Sequence, residues 1–476
     1  MNPLIALFKT PNGKYFFDAN KDEMISISDE SFSFLSKLKT DNASDTQVIP
    51  FELMELKKQG YLKDESAVKD IRHIYTDYLD IFLKRKISMM TIQLTQDCNL
   101  RCKYCVYSEE HNRSQRSHST KVMSWETAKK AVDFLAEHSI DSPSINIGFY
   151  GGEPLLEFSL LKKIIEYCKV IFLGKEFSLN MTTNGILLTD EIILYLEDQN
   201  VSLMISIDGP KEINDINRVF IDGSGTFDVV AERIRRIKEI APDYAKKINL
   251  SMVMDPRNDF DCINEIYIKG SDFHKLNTSP TLVEGEFGDE GLPFSESYVW
   301  KNEYHFFLAM LAHYGRYPKE QVSPIAINRM SFALTDYARI IKAAPLQKID
   351  SPSGPCIPGQ MRLFVNVDGL FFPCERVSEK SAAMCIGSLE NGFNLESAKN
   401  ILNVGTLTKE ECLKCWCFRY CDMCAKKADN EAGELSSDLK LSHCNDTKAV
   451  VRQRMEQVLL LSEIPKYYAH QMMKGD

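Results

Sequence analysis

The stretch Met89-Met-Thr-Ile-Gln-Leu-Thr95-Gln-Asp-Cys98-Asn-Leu-Arg-Cys102-Lys-Tyr-Cys105 joins an apolar, β-rich run to three cysteines separated by three and then two residues. A run of this kind ending in a loop of functional side chains is how a parallel strand delivers chemistry at its carboxyl end. Three thiolates can wrap one face of a cubane [4Fe–4S] cluster, which normally takes four ligands from protein, so one iron is left open. An open iron can chelate a small molecule, whereas structural zinc prefers a closed tetrahedral set. A zinc site with its fourth ligand from elsewhere in the chain is the alternative.

Working outward, similar short runs occur at Ile145–Tyr150, Phe177–Thr182, Ser202–Ile207, Ile248–Met254 and Thr281–Glu284. Helical patterns alternate with them near Trp125–Glu137, Leu160–Phe172, Glu191–Gln199, Phe227–Ile240 and Phe260–Ile268. This repetition predicts parallel βαβ units, an α/β fold built as a partial (β/α)6 barrel with its chemistry at the strand ends. The loops there read Tyr150-Gly151-Gly152-Glu153-Pro154, Thr182-Thr183-Asn184-Gly185 and Ser206-Ile207-Asp208-Gly209. Thr-Asn-Gly and Asp-Gly are also ordinary turn sequences, so each is weak alone.

Cysteine spacing, Tyr104 before the third cysteine and the strand-end motifs together resemble the radical S-adenosylmethionine (SAM) enzymes. The resemblance implies that Cys98, Cys102 and Cys105 hold a [4Fe–4S] cluster whose open iron binds the amino and carboxylate groups of SAM. It implies further that Gly151 and Gly152 let the backbone approach the ligand and that Glu153 accepts from its ammonium. Ser206 and Asp208 would lie near the ribose with Asn184 close by, and Arg218 would pair with the SAM carboxylate.

Nine of the fourteen cysteines fall within residues 356–444. Cys356 and Cys374 are separated by twelve residues, Gly369 and four residues, and an Asp-Gly hairpin turn at Gly369 would bring both thiols to one side. Then follow Cys412, Cys415, Cys417, Cys421, Cys424 and finally Cys444. The layout resembles the SPASM extension of radical SAM peptide-modifying enzymes, which carries two auxiliary [4Fe–4S] clusters, three clusters in all. The family's ligand order implies Cys356, Cys374 and Cys424 for the first and Cys412, Cys415, Cys421 and Cys444 for the second. Cys385 is either a fourth ligand of the first cluster or absent from it, leaving an iron open to a substrate thiolate. Two departures stand out: two residues, not three, separate Cys421 from Cys424, and Cys417 is an added thiol. Zinc ribbons are the structural alternative for this region. Cys168 and Cys262 read as small core residues, and His305 and His313 as packing or surface residues.

The remainder of the chain fits a multidomain protein of 476 residues. Residues 1–85 read as a small α+β unit: strands at Leu4–Phe8 and Tyr15–Asp18 around Pro11-Asn12-Gly13, a helix from Asp29, a helix Phe51–Gln59 closed by Gly60, and an amphipathic Val68–Leu83. The unit resembles the winged-helix domain that binds leader peptides in many peptide maturases, and an exposed strand edge would pair with an extended leader. A plain structural cap is the alternative. The barrel would span 86–295, a helical bridge 296–355 with a helix Glu296–Tyr317 and an irregular stretch to Gly354, and the cysteine-rich domain 356–476, ending in a helix Lys448–Leu461. The polar stretch Ser108–Lys121 is either a solvated loop or a lid over the site.

Composition sets the limits. With 44% hydrophobic and 26% charged residues the chain is no disordered tail, and its net charge of −10 gives no basic field for nucleic acid. No run approaches the ~18 apolar residues of a membrane span, and the start lacks a secretory apolar run. A cytoplasmic location is expected, where clustered thiols suit metal or redox chemistry better than disulfides. The resemblance as a whole implies a maturase of ribosomally made peptides, with thioether cross-linking of a cysteine-rich precursor first and a flavodoxin- or ferredoxin-type electron donor. Formylglycine formation in a sulfatase is the runner-up; those enzymes place an aspartate where this chain has Glu375. Carbon–carbon cross-linking, epimerisation and a zinc-binding peptide scaffold are the other readings.

Overall fold

The computed structural model describes residues 3–39, 48–108, 115–267, 270–283, 293–340, 342, 344–431 and 433–472. At the amino end Ile5–Lys9 (β1), Lys14–Asp18 (β2) and Glu23–Ile27 (β3) form an antiparallel sheet, followed by helices Asp29–Lys39 and Phe51–Lys58. The strand β3 is an addition to the sequence reading. Its entry turn is hidden because Asp22, not glycine, adopts φ +58, with Asp18 Oδ1 accepting from the Asn20 and Lys21 amides at 3.0 Å. A short polar side chain tolerates that conformation.

Val68–Leu83 is not one helix. Asp70–Ile71 (β4) pairs in parallel with Ile349–Asp350, and the α-helix covers only Leu79–Arg85. The amides of Lys69, Asp70 and Arg72 donate to the Lys348 and Asp350 carbonyls, a tertiary pairing that overrides the local helical pattern.

Both faces of the amino-terminal sheet are buried, as period-two alternation allows. Ile5 and Phe16 pack with Leu35, Leu53 and Leu62. Ala6, Phe8 and Phe17 pack instead with Cys417, Tyr420 and the residues Val451, Met455 and Leu459 near the carboxyl end. Burying Phe8 and Phe17 is worth about 1.5–3 kcal/mol each. The β2–β3 turn adds a polar tie: Asp22 accepts from the Tyr420 hydroxyl at 2.7 Å and the Ala344 amide at 3.0 Å, with Arg419 3.6 Å away.

Met89–Thr95 (β5), Ser144–Gly151 (β6), Glu176–Thr183 (β7), Val201–Ser206 (β8), Asn249–Met254 (β9) and Asn277–Leu282 (β10) are parallel neighbours in sequence order. All of β5 after Met89 is buried, as in a strand covered on both faces. Helices Trp125–His138, Phe158–Ile171, Asp190–Asp198 and Phe227–Ile240 share one core with these strands. The sixth strand lies earlier than Thr281–Glu284 because Pro280 in its middle masks it; an edge strand tolerates the missing donor. Glu284 lies outside the described residues. The helix expected over Phe260–Ile268 ends at Asn264 with a 3-10 turn to Tyr267, and Ile268 lies outside the described residues.

Beyond β5 the sheet continues. Ile349–Asp350 (β11) belongs to the pair with β4, but Leu363–Val365 (β12) lies parallel to β5, and Leu370–Phe372 (β13), Gly387–Ser388 (β14) and Gly392–Phe393 (β15) follow antiparallel. The sheet is therefore mixed and ten-stranded, and the hairpin at Gly369 (φ +77) grows on the edge of the barrel. Between them, Pro324–Ile340 is a second bridging helix where an irregular stretch was expected; it starts with proline, whose missing donor is harmless at that position. The terminal helix, Cys444–Met472, exceeds the expected Lys448–Leu461. Among the described residues no helix is long and apolar enough to cross a membrane.

The ends of β5 and β6 meet in a backbone contact. Gly152 donates to the Thr95 carbonyl at 3.0 Å and Glu153 to the Asp97 carbonyl at 2.9 Å. A Cβ would lie 2.3 Å from the Thr95 oxygen at Gly151 and 1.9 Å from the Asp97 oxygen at Gly152. The glycine pair thus makes its close approach to the backbone that begins the cysteine loop. Gly152→Ala is expected to cost about 1–3 kcal/mol through this overlap, read as a lower urea midpoint. Asp22→Ala, which strips a buried carboxylate from Tyr420 and Arg419, is expected to cost about 3 kcal/mol in the same measurement, with Asp22→Asn losing less.

Candidate functional site

The cysteine loop is pinned from two sides. Beneath it lies the glycine contact with β6. Beside it, Arg101 donates to the Val219 carbonyl at 2.8 Å and Lys103 to the Asn217 carbonyl at 2.9 Å, which brings Arg218 to the loop. Cys98, Cys102 and Cys105 face one cavity of about 330 Å³. All fourteen cysteines are thiols without a disulfide. Burial pushes the Cys98 thiol up to about 12 and Cys105 up to about 11, and raises Cys102. Such thiols are neutral until a bound cation compensates them, and metal coordination deprotonates them outright.

Strand ends supply the opposite wall. Gly151, Gly152, Thr182, Asn184 and Ser206 line the cavity. Asn184 Nδ2 donates to Asn99 Oδ1 at 2.7 Å and lies 3.8 Å from Cys98 Sγ. Glu153 lies below this wall, 1% exposed. Its carboxylate accepts from the Leu155 amide at 3.0 Å, the Thr183 hydroxyl at 2.7 Å and the Asn184 amide at 2.8 Å. The residue expected to meet an ammonium thus holds the end of β7 in place.

Tyr104, Asp208 and Arg218 form a buried triad. The Tyr104 hydroxyl donates to Asp208 Oδ2 at 2.5 Å and accepts from Arg218 Nη1 at 2.8 Å, and Arg218 lies 3.7 Å from the other Asp208 oxygen. Asp208 also accepts from the Val253 amide at 3.1 Å, so its carboxylate is committed to protein donors, away from the cavity. Arg218 does line the cavity, and among the described residues its buried Nε has no partner. An orphaned guanidinium donor beside three thiols fits an anionic group such as a carboxylate, so the residues present suit a SAM molecule on a cluster.

Several cavity residues escape the sequence reading. Ser251 is the register partner of Ser206 and follows from strand pairing alone. Arg376 and Lys426 reach the cavity from the cysteine-rich region, which no local signal reveals, as does Glu375, which the sequence marks only by the aspartate that its resemblance puts at that position. Of the polar stretch Ser108–Lys121, residues 109–114 lie outside the described residues. Gln115 and Arg116 are buried, so that part is no solvated loop. The Arg116 guanidinium lies 3.7 Å from the Tyr107 ring centroid and pairs with buried Glu379 at 3.0 Å. Gln115 Nε2 donates to the Arg376 carbonyl at 2.6 Å.

In the second cysteine region, burial raises the Cys374 thiol to about 12, with Glu375 and then Cys424 adding to it. Cys356 is exposed, and Cys385 Sγ lies 3.5 Å from the Gly387 carbonyl. Burial raises Cys421 to about 11 and also raises Cys444, with further pushes from Cys412 and Cys415 on both. Cys415 and Cys417 are 3.4 Å apart at sulfur. Cys168 is fully buried and Cys262 half-buried, while His305 sits 2.9 Å from Asp261.

Residues 92–267 match the model of the Radical SAM superfamily. A cysteine-type anaerobic sulfatase-maturating enzyme of Clostridium perfringens is 25% identical over 369 residues, 74% of this chain and 92% of that protein. A serine-type anaerobic sulfatase-maturating enzyme of Bacteroides thetaiotaomicron is 30% identical over 186 residues, 39% of this chain. This chain spans only 44% of that relative's length, and 43% of another curated relative's. The solved structure of native anSMEcpe with bound AdoMet superposes with a TM-score of 0.54 at 21% identity, covering 79% of this chain and 97% of that one. The chain therefore has the radical SAM α/β fold with a mixed sheet, and residues 92–267 are the part of it that matches the superfamily model.

Proposed function

We propose that this chain is a radical SAM maturase of a ribosomally made, cysteine-rich precursor peptide, and that it joins cysteine sulfur to carbon within that peptide. One observation carries the reading: a single cavity is lined both by the three thiols and Arg218, whose Nε has no partner among the described residues, and by Glu375 and Arg376 of the cysteine-rich region. Such a cavity suits a cofactor at the barrel end and a peptide entering between barrel and extension.

In this reading Cys98, Cys102 and Cys105 hold a [4Fe–4S] cluster, Arg218 takes the SAM carboxylate, and Asn184 and Ser206 contact the remainder of the cofactor. When bound, SAM supplies a 5′-deoxyadenosyl radical able to remove hydrogen from an unactivated carbon, which side-chain acid–base chemistry cannot do. The chain's own residues orient and shield. Tyr104 and Asp208 hold the Arg218 fork, Glu153 fixes the Asn184 strand end, and the Arg116–Tyr107 stack covers the flank of the loop. Cys356, Cys374 and Cys424, with or without Cys385, would hold one auxiliary cluster and Cys412, Cys415, Cys421 and Cys444 the other. The leader would pair with β3: the Leu7 carbonyl of β1 already accepts from Arg452, and among the described residues no strand lies beyond β3. A flavodoxin- or ferredoxin-type protein would supply electrons.

Oxidation of a peptidyl serine or cysteine to formylglycine is the second reading. It is supported by the sulfatase-maturating relative that this chain spans over 92% of its length, and by a carboxylate, Glu375, on the cavity wall.

Anaerobically purified protein is expected to carry about twelve irons per chain at four per cubane; stoichiometric zinc with little iron rejects the enzyme. Cys102→Ala is expected to abolish 5′-deoxyadenosine formation under dithionite. Mass spectrometry of a co-expressed precursor is expected to show loss of two hydrogens per link, with the linked thiols no longer alkylatable; a new aldehyde selects the second reading.

A further inference from the structure

Lys440 is 3% exposed, on the short helix Ser437–Ser442. Its ammonium has two acceptors, Thr408 Oγ1 at 2.6 Å and Cys412 Sγ at 3.6 Å, and among the described residues no carboxylate pairs with it. Thr408 is 2% exposed, and its hydroxyl lies 3.3 Å from the same sulfur. A hydroxyl that accepts from an ammonium through a lone pair keeps its own proton to donate. The geometry therefore builds a two-link chain, Lys440 to Thr408 to Cys412, in which each bond polarises the next. Cys444 joins this group from the turn after Lys440, its sulfur 3.9 Å from the Lys440 carbonyl.

A buried ammonium is costly unless an anion compensates it. Here the available groups are the sulfurs of Cys412 and its neighbours. Resting on the cluster reading above, we propose that Lys440, with Thr408, sets the reduction potential of the iron–sulfur cluster held by Cys412, Cys415, Cys421 and Cys444. Hydrogen bonds to ligand sulfur and a nearby positive charge both favour the more negative, reduced form, and so raise the potential of a cluster. Lys440 acts through Cys412 and is a positioning residue; a lysine that merely filled space would leave the potential alone.

The test is a redox titration of the anaerobic holoenzyme followed by electron paramagnetic resonance, with Cys412→Ala identifying the signal that belongs to this cluster. Lys440→Met is expected to lower the reduced-to-oxidised ratio at the wild-type midpoint about tenfold, equivalent to about 59 mV for one electron. Thr408→Val is expected to shift it less in the same direction. Lys440→Arg and Thr408→Ser should stay near wild type, and the other cluster signals should not move. An unchanged midpoint in Lys440→Met at full iron content overturns the proposal, as does an equal shift of every cluster. Should Lys440→Met lose iron, an unchanged midpoint in Thr408→Val overturns it instead. If Cys412→Ala removes no signal, the ligand assignment has failed, and this proposal falls with it.

Discussion

The site depends on one backbone contact. The Thr95 and Asp97 carbonyls accept from Gly152 and Glu153, across a gap that no side chain fits. The contact sets where the loop bearing Cys98, Cys102 and Cys105 leaves the sheet. It also delivers the Glu153 carboxylate to the end of β7, where Thr183 and Asn184 fold over it and Asn184 returns to Asn99 and Cys98. Two glycines, one buried carboxylate and one amide thus connect three consecutive strands to the thiols. The hydrogen bonds are individually worth about 1 kcal/mol; their effect here is geometric.

A second constraint is the continuity of the sheet past β5. The hairpin β12–β13 extends the barrel sheet, so Cys374, Glu375 and Arg376 leave β13 beside the same cavity that the barrel loops enclose. The buried Arg116–Glu379 pair, with Gln93 Nε2 donating to Glu379 at 2.7 Å, joins the flank of the cysteine loop to this extension. A buried pair of this kind is weak evidence for stability and better read as a device that fixes one arrangement of the two parts.

What the sequence discloses follows physical scale. Continuous apolar runs such as Met89–Thr95 are local signals that locate the barrel, and strand-end residues such as Asn184 and Ser206, legible through the family resemblance, do line the cavity. The third amino-terminal strand is invisible because Asp22 does the work expected of glycine. The sixth barrel strand is disguised by Pro280, and the Asp70–Ile71 pairing overrides a helical pattern through partners nearly 280 residues away. Arg376 and Lys426 are ordinary charged residues until the fold places them at the cavity. Glu153 shows the opposite case: its position is plain from the motif, but its hydrogen bonds are set by the Leu155 amide on its own turn and by the Thr183 hydroxyl and Asn184 amide at the end of β7.

The amino-terminal sheet shares its second core with Val451, Met455 and Leu459. While the chain is being synthesised, Ala6, Phe8 and Phe17 emerge from the ribosome more than four hundred residues ahead of the side chains that cover them. That face of the sheet must wait, exposed, until those residues have been made, which makes the nascent chain a natural client for chaperones. Contacts of such long range also close late and slow the final assembly. The order of synthesis thus sets this sheet, made long before the residues that cover it, among the last parts to reach its finished packing.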